Sequence, residues 1–253
     1  RCGLLGGVHP MSRWLFFPSG GFVPSDVASL VGWYDPSDSS TVTLSGSDVT
    51  AVSNKVSGGT SLTPSSGNPT ISSGALNSLD VLYYGTQGVG MHTGAATYTG
   101  TDHSIMWLQD PEDTNGVGFT GTSNNWVFGY LTGSTSTVLG RVNGTAIAIP
   151  IFVDATAIPT GTTRGGLYNL MSNNTGWHIL GFTGLDMSNW TDFDVLRYAN
   201  DTPSSGWKNL GEICIFDATL STSDRQKMEG YYAWKYALTS NLPASHPYKS
   251  TRP

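Results

Sequence analysis

From Val27 onward the chain repeats one pattern: short apolar or alternating runs, separated by clusters of Gly, Ser, Asn and Pro. Runs of this length and spacing predict β-strands joined by turns. The candidates are 30–34, 49–53, 79–84, 104–108, 126–131, 137–142, 146–153, 166–171, 177–183, 193–198 and 212–216. With no helical period between them, βαβ units are excluded and an all-β antiparallel sandwich of two sheets is expected. The stretches 57–73 and 110–125 read as long surface loops.

One segment carries the helical period. Ser221-Thr222-Ser223-Asp224 offers an N-cap and an acidic first turn, and Met228, Tyr231, Tyr232, Lys235 and Leu238 recur on one face. This predicts a helix over 221–240, stopped by Asn241 and Pro243. Gly230 inside it is expected to let the helix approach a strand closely, and 242–248 to run extended across the surface. At the other end, residues 1–25 read as an arm punctuated by Gly and Pro, ahead of a domain spanning 26–253. Its aromatic cluster Trp14, Leu15, Phe16 and Phe17 needs a place to bury itself, on its own domain or as an anchor on a partner subunit.

Composition sharpens the class. Charged residues are 12% of the 253, aromatics 11% and glycines 32 in number, a mix that suits a β-scaffold better than solvated helices. The net charge of −6 and the lack of any Lys/Arg run argue against nucleic acid or an anionic membrane as partner. Cys2 and Cys214 are the only cysteines, so neither a disulfide framework nor a cysteine zinc cluster is expected. The opening residues lack the pattern of a secretory signal, and Met11 is a candidate natural start.

Two blocks then resemble a known group. The opening Leu30-Val31-Gly32-Trp33-Tyr34-Asp35-Pro36-Ser37-Asp38 is one. The closing set is the other: Leu210-Gly211-Glu212-Ile213-Cys214-Ile215-Phe216-Asp217, the helix through Glu229-Gly230-Tyr231-Tyr232-Ala233-Trp234-Lys235, and Leu242-Pro243-Ala244-Ser245-His246-Pro247-Tyr248. They resemble the concanavalin A-like, laminin G-like jelly-roll domains of tailed-phage virion proteins and marine bacterial proteins. The resemblance spans about 30–248, with specific motifs at its ends. It implies a two-sheet jelly roll with one C-terminal helix, a fold shared by carbohydrate-binding modules, virion proteins and some glycosidases.

Catalytic chemistry is sparse. The three glutamates, Glu112, Glu212 and Glu229, form no pattern of paired carboxylates. The five histidines have no accompanying nucleophile motif, and His103 and His178 read as surface or hydrogen-bonded strand residues. Gly116-Val117-Gly118-Phe119-Thr120-Gly121 spells G-x-G-x-x-G without the strand and helix that would give it meaning. Asp110, Glu112, Asp113 and Asn115 place hard oxygen donors in one loop, as a Ca²⁺ site requires, and the resemblance implies Ca²⁺ at a sheet rim, although no cofactor is required. Asp35 and Asp38 read first as turn and capping residues. For sugar binding, Trp126 with Asn124 and Asn125, and Trp190 with Asn189, Asp192 and Asp194, combine an aromatic ring with polar neighbours.

These readings lead to one main expectation, a non-enzymatic phage virion surface protein held to other virion proteins by its N-terminal arm, with a homo-oligomer as a further possibility. The alternative is a carbohydrate-binding module that recognises a host surface glycan, and a third is a Ca²⁺-dependent polysaccharide hydrolase or lyase.

Overall fold

A computed structural model describes residues 21–85, 89–95, 97–111, 115–121, 125–172, 176–195 and 209–253. The arm cluster Trp14 to Phe17, and with it Cys2, lies outside the described residues. In chain order the strands are β1 (Leu30–Tyr34), β2 (Val42–Ser45), β3 (Asp48–Val52), β4 (Thr63–Ser66), β5 (Thr70–Leu76), β6 (Leu79–Tyr83), β7 (Gly90–His92), β8 (His103–Asp110) and β9 (Asn115–Thr120). There follow β10 (Trp126–Leu131), β11 (Gly140–Val142), β12 (Thr145–Ala146), β13 (Ile151–Val153), β14 (Thr156–Ala157), helix α1 (Arg164–Ser172), β15 (His178–Leu185), β16 (Asp194–Val195), β17 (Asn209–Phe216) and helix α2 (Thr222–Lys235).

They form two antiparallel sheets packed as a sandwich. The first runs β14-β13-β15-β8-β17-β6-β5-β3-β2, and the second β12-β11-β10-β9-β16-β7-β4. Strand β17 divides one edge between two partners: Asn209 and Leu210 pair with β6, while Ile213 to Phe216 pair with β1. A register shift between Leu210 and Ile213 accommodates the change. The all-β sandwich with a C-terminal helix is thus as expected from the sequence.

The central strands β8, β15 and β17 read as continuous apolar runs because both of their faces are covered. Ile105, Trp107, Leu180, Phe182, Ile213 and Ile215 point between the sheets, where Trp107 meets Phe119 and Phe128 edge-on at 4.9 Å. Met106, Leu108, Ile179, Cys214 and Phe216 point the other way, under α2. Cys214 is a buried free thiol there, and burial pushes its pKa up. Complete burial of an aromatic side chain contributes roughly 1.5–3 kcal/mol, so this two-sided coverage is the main source of stability.

Helix α2 starts as expected: the Ser221 hydroxyl accepts the Asp224 N–H at 3.1 Å, and Asp224 sits in the first turn. It ends at Lys235, short of the expected 240, because Ala237 turns left-handed at φ 57° and the Leu238 N–H reaches back to the Ala233 carbonyl at 2.7 Å. The tail is not extended. Turns at Pro243–His246 and His246–Lys249 fold it against the helix, and a Cβ on Gly230 would stand 2.7 Å from the Tyr248 Cβ. Gly230 therefore admits the tail, where a strand was expected.

Three further expectations are corrected. Residues 166–171 lie in α1, a second helix, where Thr163 caps the Gly166 N–H at 2.9 Å and Leu167 and Met171 are buried at a spacing of one helical turn. The expected loop 57–73 contains β4 and the start of β5, and 110–125 contains β9, whose glycine-rich sequence hid its pairing with β10 and β16. Among the described residues, no helix is long and apolar enough to cross a membrane.

Candidate functional site

Polar side chains collect in three places, and their surroundings separate structure from candidate chemistry. The first lies under α2. Lys235 Nζ donates to Asp35 Oδ2 at 2.8 Å and to Glu212 Oε2 at 2.7 Å. Trp33 Nε1 at 2.5 Å and the Tyr231 hydroxyl at 3.0 Å donate to Glu212 Oε1, and the Tyr236 hydroxyl donates to Oε2 at 3.0 Å. The Ser37 N–H and hydroxyl donate to Asp35 Oδ1. Burial lifts the Glu212 carboxyl above its ordinary value against the pull of Lys235. Burial also opposes ionisation of Asp35, yet Lys235, Ser37 and Lys55 hold that carboxyl low. This brings two carboxyl groups together, but around a lysine and with both nearly inaccessible, which fits a fastening of the opening block to β17 and α2 rather than an acid–base pair. A neighbouring set behaves alike: Arg225 and His246 both reach Glu229, whose pKa burial raises to about 7.

The second place is an open cleft at the rim of the sandwich, about 490 Å³ in volume. Five stretches of chain build it: Val31 of β1, the turn Gly58-Gly59-Thr60, the β7–β8 loop with Ala95, Thr97, Tyr98 and Thr99, His103 at the start of β8, and Asp217 just beyond β17. Its floor is rigid. Tyr98 and Tyr34 share a hydrogen bond of 2.5 Å, Tyr34 donates to the Thr60 carbonyl at 2.8 Å, and Tyr98 stands edge-on to Phe193 at 5.1 Å. The Asn54 amide joins Trp33, Val56 and the Val31 carbonyl from beneath. Any side chain at Gly59 would collide with that amide, so the turn needs glycine there.

His103 is the unusual member of the cleft. It is 2% exposed, and its Nδ1 is buried with no hydrogen-bond partner. Burial lowers its pKa, against the pull of Asp217, the Gly100 backbone, Asp102 and Asp186, so the ring is neutral at pH 7. A buried nitrogen left without a partner costs about 1–3 kcal/mol. Asp217, by contrast, is exposed at the cleft edge.

The third place borders the same loop. His92 Nδ1 lies 2.8 Å from Asp192 Oδ2 and 3.9 Å from Asp194 Oδ1. Asp192 Oδ1 also accepts the Gly94 and Phe193 N–H groups at 3.0 and 2.8 Å, which ties down the start of the loop framing the cleft.

Several residues singled out in the sequence fall elsewhere. Trp190 is 1% exposed and stacks on Phe193, with its ring over Gly121. Trp126 is 7% exposed, lies over Gly129 and carries the Arg164 guanidinium 5.4 Å from its ring. Neither offers a face to a sugar, which corrects their reading as platforms. Asn125 is buried and holds Asn143 N–H at 2.6 Å, and Asn124 is outside the described residues. Asp192 does not sit with an open ring but serves the loop. Asp110 accepts a hydrogen bond from Asn209 at 3.2 Å, while Glu112 and Asp113, and with them the expected Ca²⁺ loop, lie outside the described residues. Asp35 and Asp38 do act at turns, Asp38 capping Ser40 at 3.1 Å, but the ion network of Asp35 escaped the sequence reading. His178 is hydrogen-bonded as expected, to Asp154 at 2.7 Å and to the Met171 carbonyl at 2.8 Å. Thr97, Thr99, Asp217 and His92 carried no local motif. The one available signal was that His103 interrupts an apolar strand.

No family model matches the chain, and no curated protein does. Among solved structures, the chain is similar to domain 4 of AbnA, a GH43 extracellular arabinanase from Geobacillus stearothermophilus, in complex with arabinotriose. The TM-score is 0.48 and the identity 14%, over 77% of this chain and 95% of that one. The expectation of a phage virion protein has no support in these comparisons and is corrected: the structure found is a domain of an extracellular arabinanase.

Proposed function

We propose that this chain is a carbohydrate-binding module that holds a short run of a neutral polysaccharide in the rim cleft. The observation that carries the reading is the lining of that cleft. Thr60 and Thr99 offer hydroxyls that both donate and accept, the Thr97 hydroxyl donates to the Ala95 carbonyl at 3.2 Å and can still accept, Asp217 offers an exposed carboxylate, and the buried His103 Nδ1 has no hydrogen-bond partner in the protein. A sugar presents the matching set, since each hydroxyl donates once and accepts twice. Val31 and Ala95 add small apolar surfaces against which ring C–H groups pack. The volume falls within the range of small-ligand sites. The net charge of −6 favours a neutral glycan over a polyanionic one.

The same inventory supports binding without cleavage. Most glycoside hydrolysis uses two carboxyl groups flanking the bond, and the cleft lining holds one, Asp217. The Asp35 and Glu212 pair is sealed beneath α2, away from any sugar.

The test is calorimetric titration of the wild type against neutral oligosaccharides, arabinotriose among them, alongside Asp217→Asn and the double variant Thr97→Val/Thr99→Val. The expected result is binding to at least one of them, weakened about tenfold or more in each variant, with an unchanged thermal midpoint. Failure to bind any neutral oligosaccharide, or full affinity in both variants, would overturn the proposal.

A further inference from the structure

The row of side chains beside the cleft forms a second site, independent of the glycan reading. In the seven-stranded sheet His92 of β7 stands opposite Asp194 of β16, and Asp194 stands opposite Thr120 of β9. Directly opposed residues of antiparallel strands share a face. The alternating residues Met91, Val195 and Phe119 belong to the core between the sheets. His92, Asp194 and Thr120 therefore line up on the face turned away from that core, with Asp192 joining them from the residue pair just before the strand.

The donor atoms of His92, Asp192 and Asp194 lie within 4.8 Å of one another. Two donors, each about 2.1 Å from an ion, stand about 3 Å apart at a right angle and up to about 4.2 Å apart across it. Separations of 2.8 and 3.9 Å from His92 Nδ1 to the two carboxylates fit one shared ion. Thr120 supplies the independent sign. It is fully buried and its hydroxyl has no hydrogen-bond partner, although a hydroxyl can both donate and accept. Exposure grades across the row: the side chains of His92 and Asp192 are 26% and 25% exposed, that of Asp194 10%, and Thr120 is closed off. The site thus has an open mouth and a polar, enclosed end.

We infer that His92, Asp192 and Asp194, with the Thr120 hydroxyl behind them, form a binding site for a single divalent transition-metal ion. One imidazole among oxygen donors selects this class over Ca²⁺ and Mg²⁺, which take oxygen sets, and over thiophilic ions, which take sulfur. A neutral ring that ligates through Nδ1 carries its proton on Nε2, so the ion takes the place of the His92 Nδ1 to Asp192 Oδ2 contact. Asp192 keeps its backbone bonds through Oδ1 and turns Oδ2 to the ion. The ion then fixes the start of the β7–β8 loop.

The experiment uses the full chain, stripped with a chelator and titrated calorimetrically with Zn²⁺, Mn²⁺ and Ca²⁺ in turn. The expected result is one Zn²⁺ per chain, bound more tightly than Mn²⁺ and far more tightly than Ca²⁺, with His92→Ala and Asp194→Asn each weakening Zn²⁺ by about tenfold or more. Imidazole ¹⁵N signals of the wild type give a readout that does not depend on any variant folding: Zn²⁺ should shift His92 first. A wild type that binds no Zn²⁺, Zn²⁺ affinity unchanged in both variants, or first shifts at His103, His178 or His246 would overturn the site.

Discussion

The chain handles buried polar groups in two opposite ways. Beneath α2, every carboxylate oxygen of Asp35 and Glu212 meets a donor, and Lys235 joins Glu212 of β17 to Asp35, which is 200 residues away from the lysine in sequence. At the rim, by contrast, the buried His103 Nδ1 and Thr120 hydroxyl have no partner, and each sits beside a more open set of polar groups. A satisfied network fixes one structure, whereas an unsatisfied group in an enclosed site costs stability that a ligand can return. Under the two proposals above, fold maintenance falls to the α2 side and recognition to the loop side.

The comparison breaks most visibly at Lys235. Lys235→Met leaves two carboxyl groups buried around a vacancy, and removing one partner of a buried ion pair costs about 3–5 kcal/mol. Denaturant unfolding at pH 7 measures it. Without the lysine both carboxyls prefer the protonated form, so the loss should be largest at neutral pH and shrink as the pH falls. A loss below about 1 kcal/mol at pH 7 would mean that the network holds nothing together.

A smaller effect sharpens the same side. Burial raises the Glu229 carboxyl from its ordinary 4.5 to about 7. The folded state therefore binds a proton that the unfolded state has released between those values, and this contribution is full below about 4.5 and lost as the pH rises through about 7. His246 runs the other way, because burial, Arg225 and Lys249 lower its pKa and disfavour the folded state as the pH falls through its ordinary range. Glu229→Gln removes the first contribution and keeps a neutral side chain of the same shape. Its thermal midpoint relative to wild type should rise steadily from pH 4.5 to pH 7.5. A flat difference across that window would show that the carboxyl titrates normally.

Legibility in the sequence follows the range of the interactions involved. Local rules gave β1, β10 and the Ser221 cap of α2, since each depends on neighbours within a few residues. α1 was missed because Leu167, Tyr168 and Met171 span little more than a turn, too short to separate a helical from an alternating pattern. The two tryptophans misled for a different reason. Whether Trp126 and Trp190 open to solvent depends on Gly129 and Gly121, whose missing side chains make room for the rings. The cleft draws on five separate stretches between Val31 and Asp217, and no spacing rule links a threonine in one loop to a carboxylate after another strand. The fold was therefore largely readable, and the site was not.

The smallest expected effect is the most discriminating, and it concerns Thr120. Valine has the shape of threonine without the hydroxyl and suits a strand at least as well. If the hydroxyl is buried without a partner, Thr120→Val removes a desolvated polar group and loses no hydrogen bond. The metal-free variant should then match the wild type in stability or exceed it by about 1 kcal/mol, where Thr→Val at a bonded hydroxyl would cost about that much. Paired denaturation curves for wild type and variant, each with and without Zn²⁺, put both halves of the contrast in one measurement. The variant should gain in the metal-free state and gain less than the wild type from added Zn²⁺, because the group that burdens the empty fold is the one that completes the occupied site. A variant destabilised without metal would place Thr120 with Glu212 and Lys235 as a structural polar group, and the distinction between the two sides of the molecule would fail there.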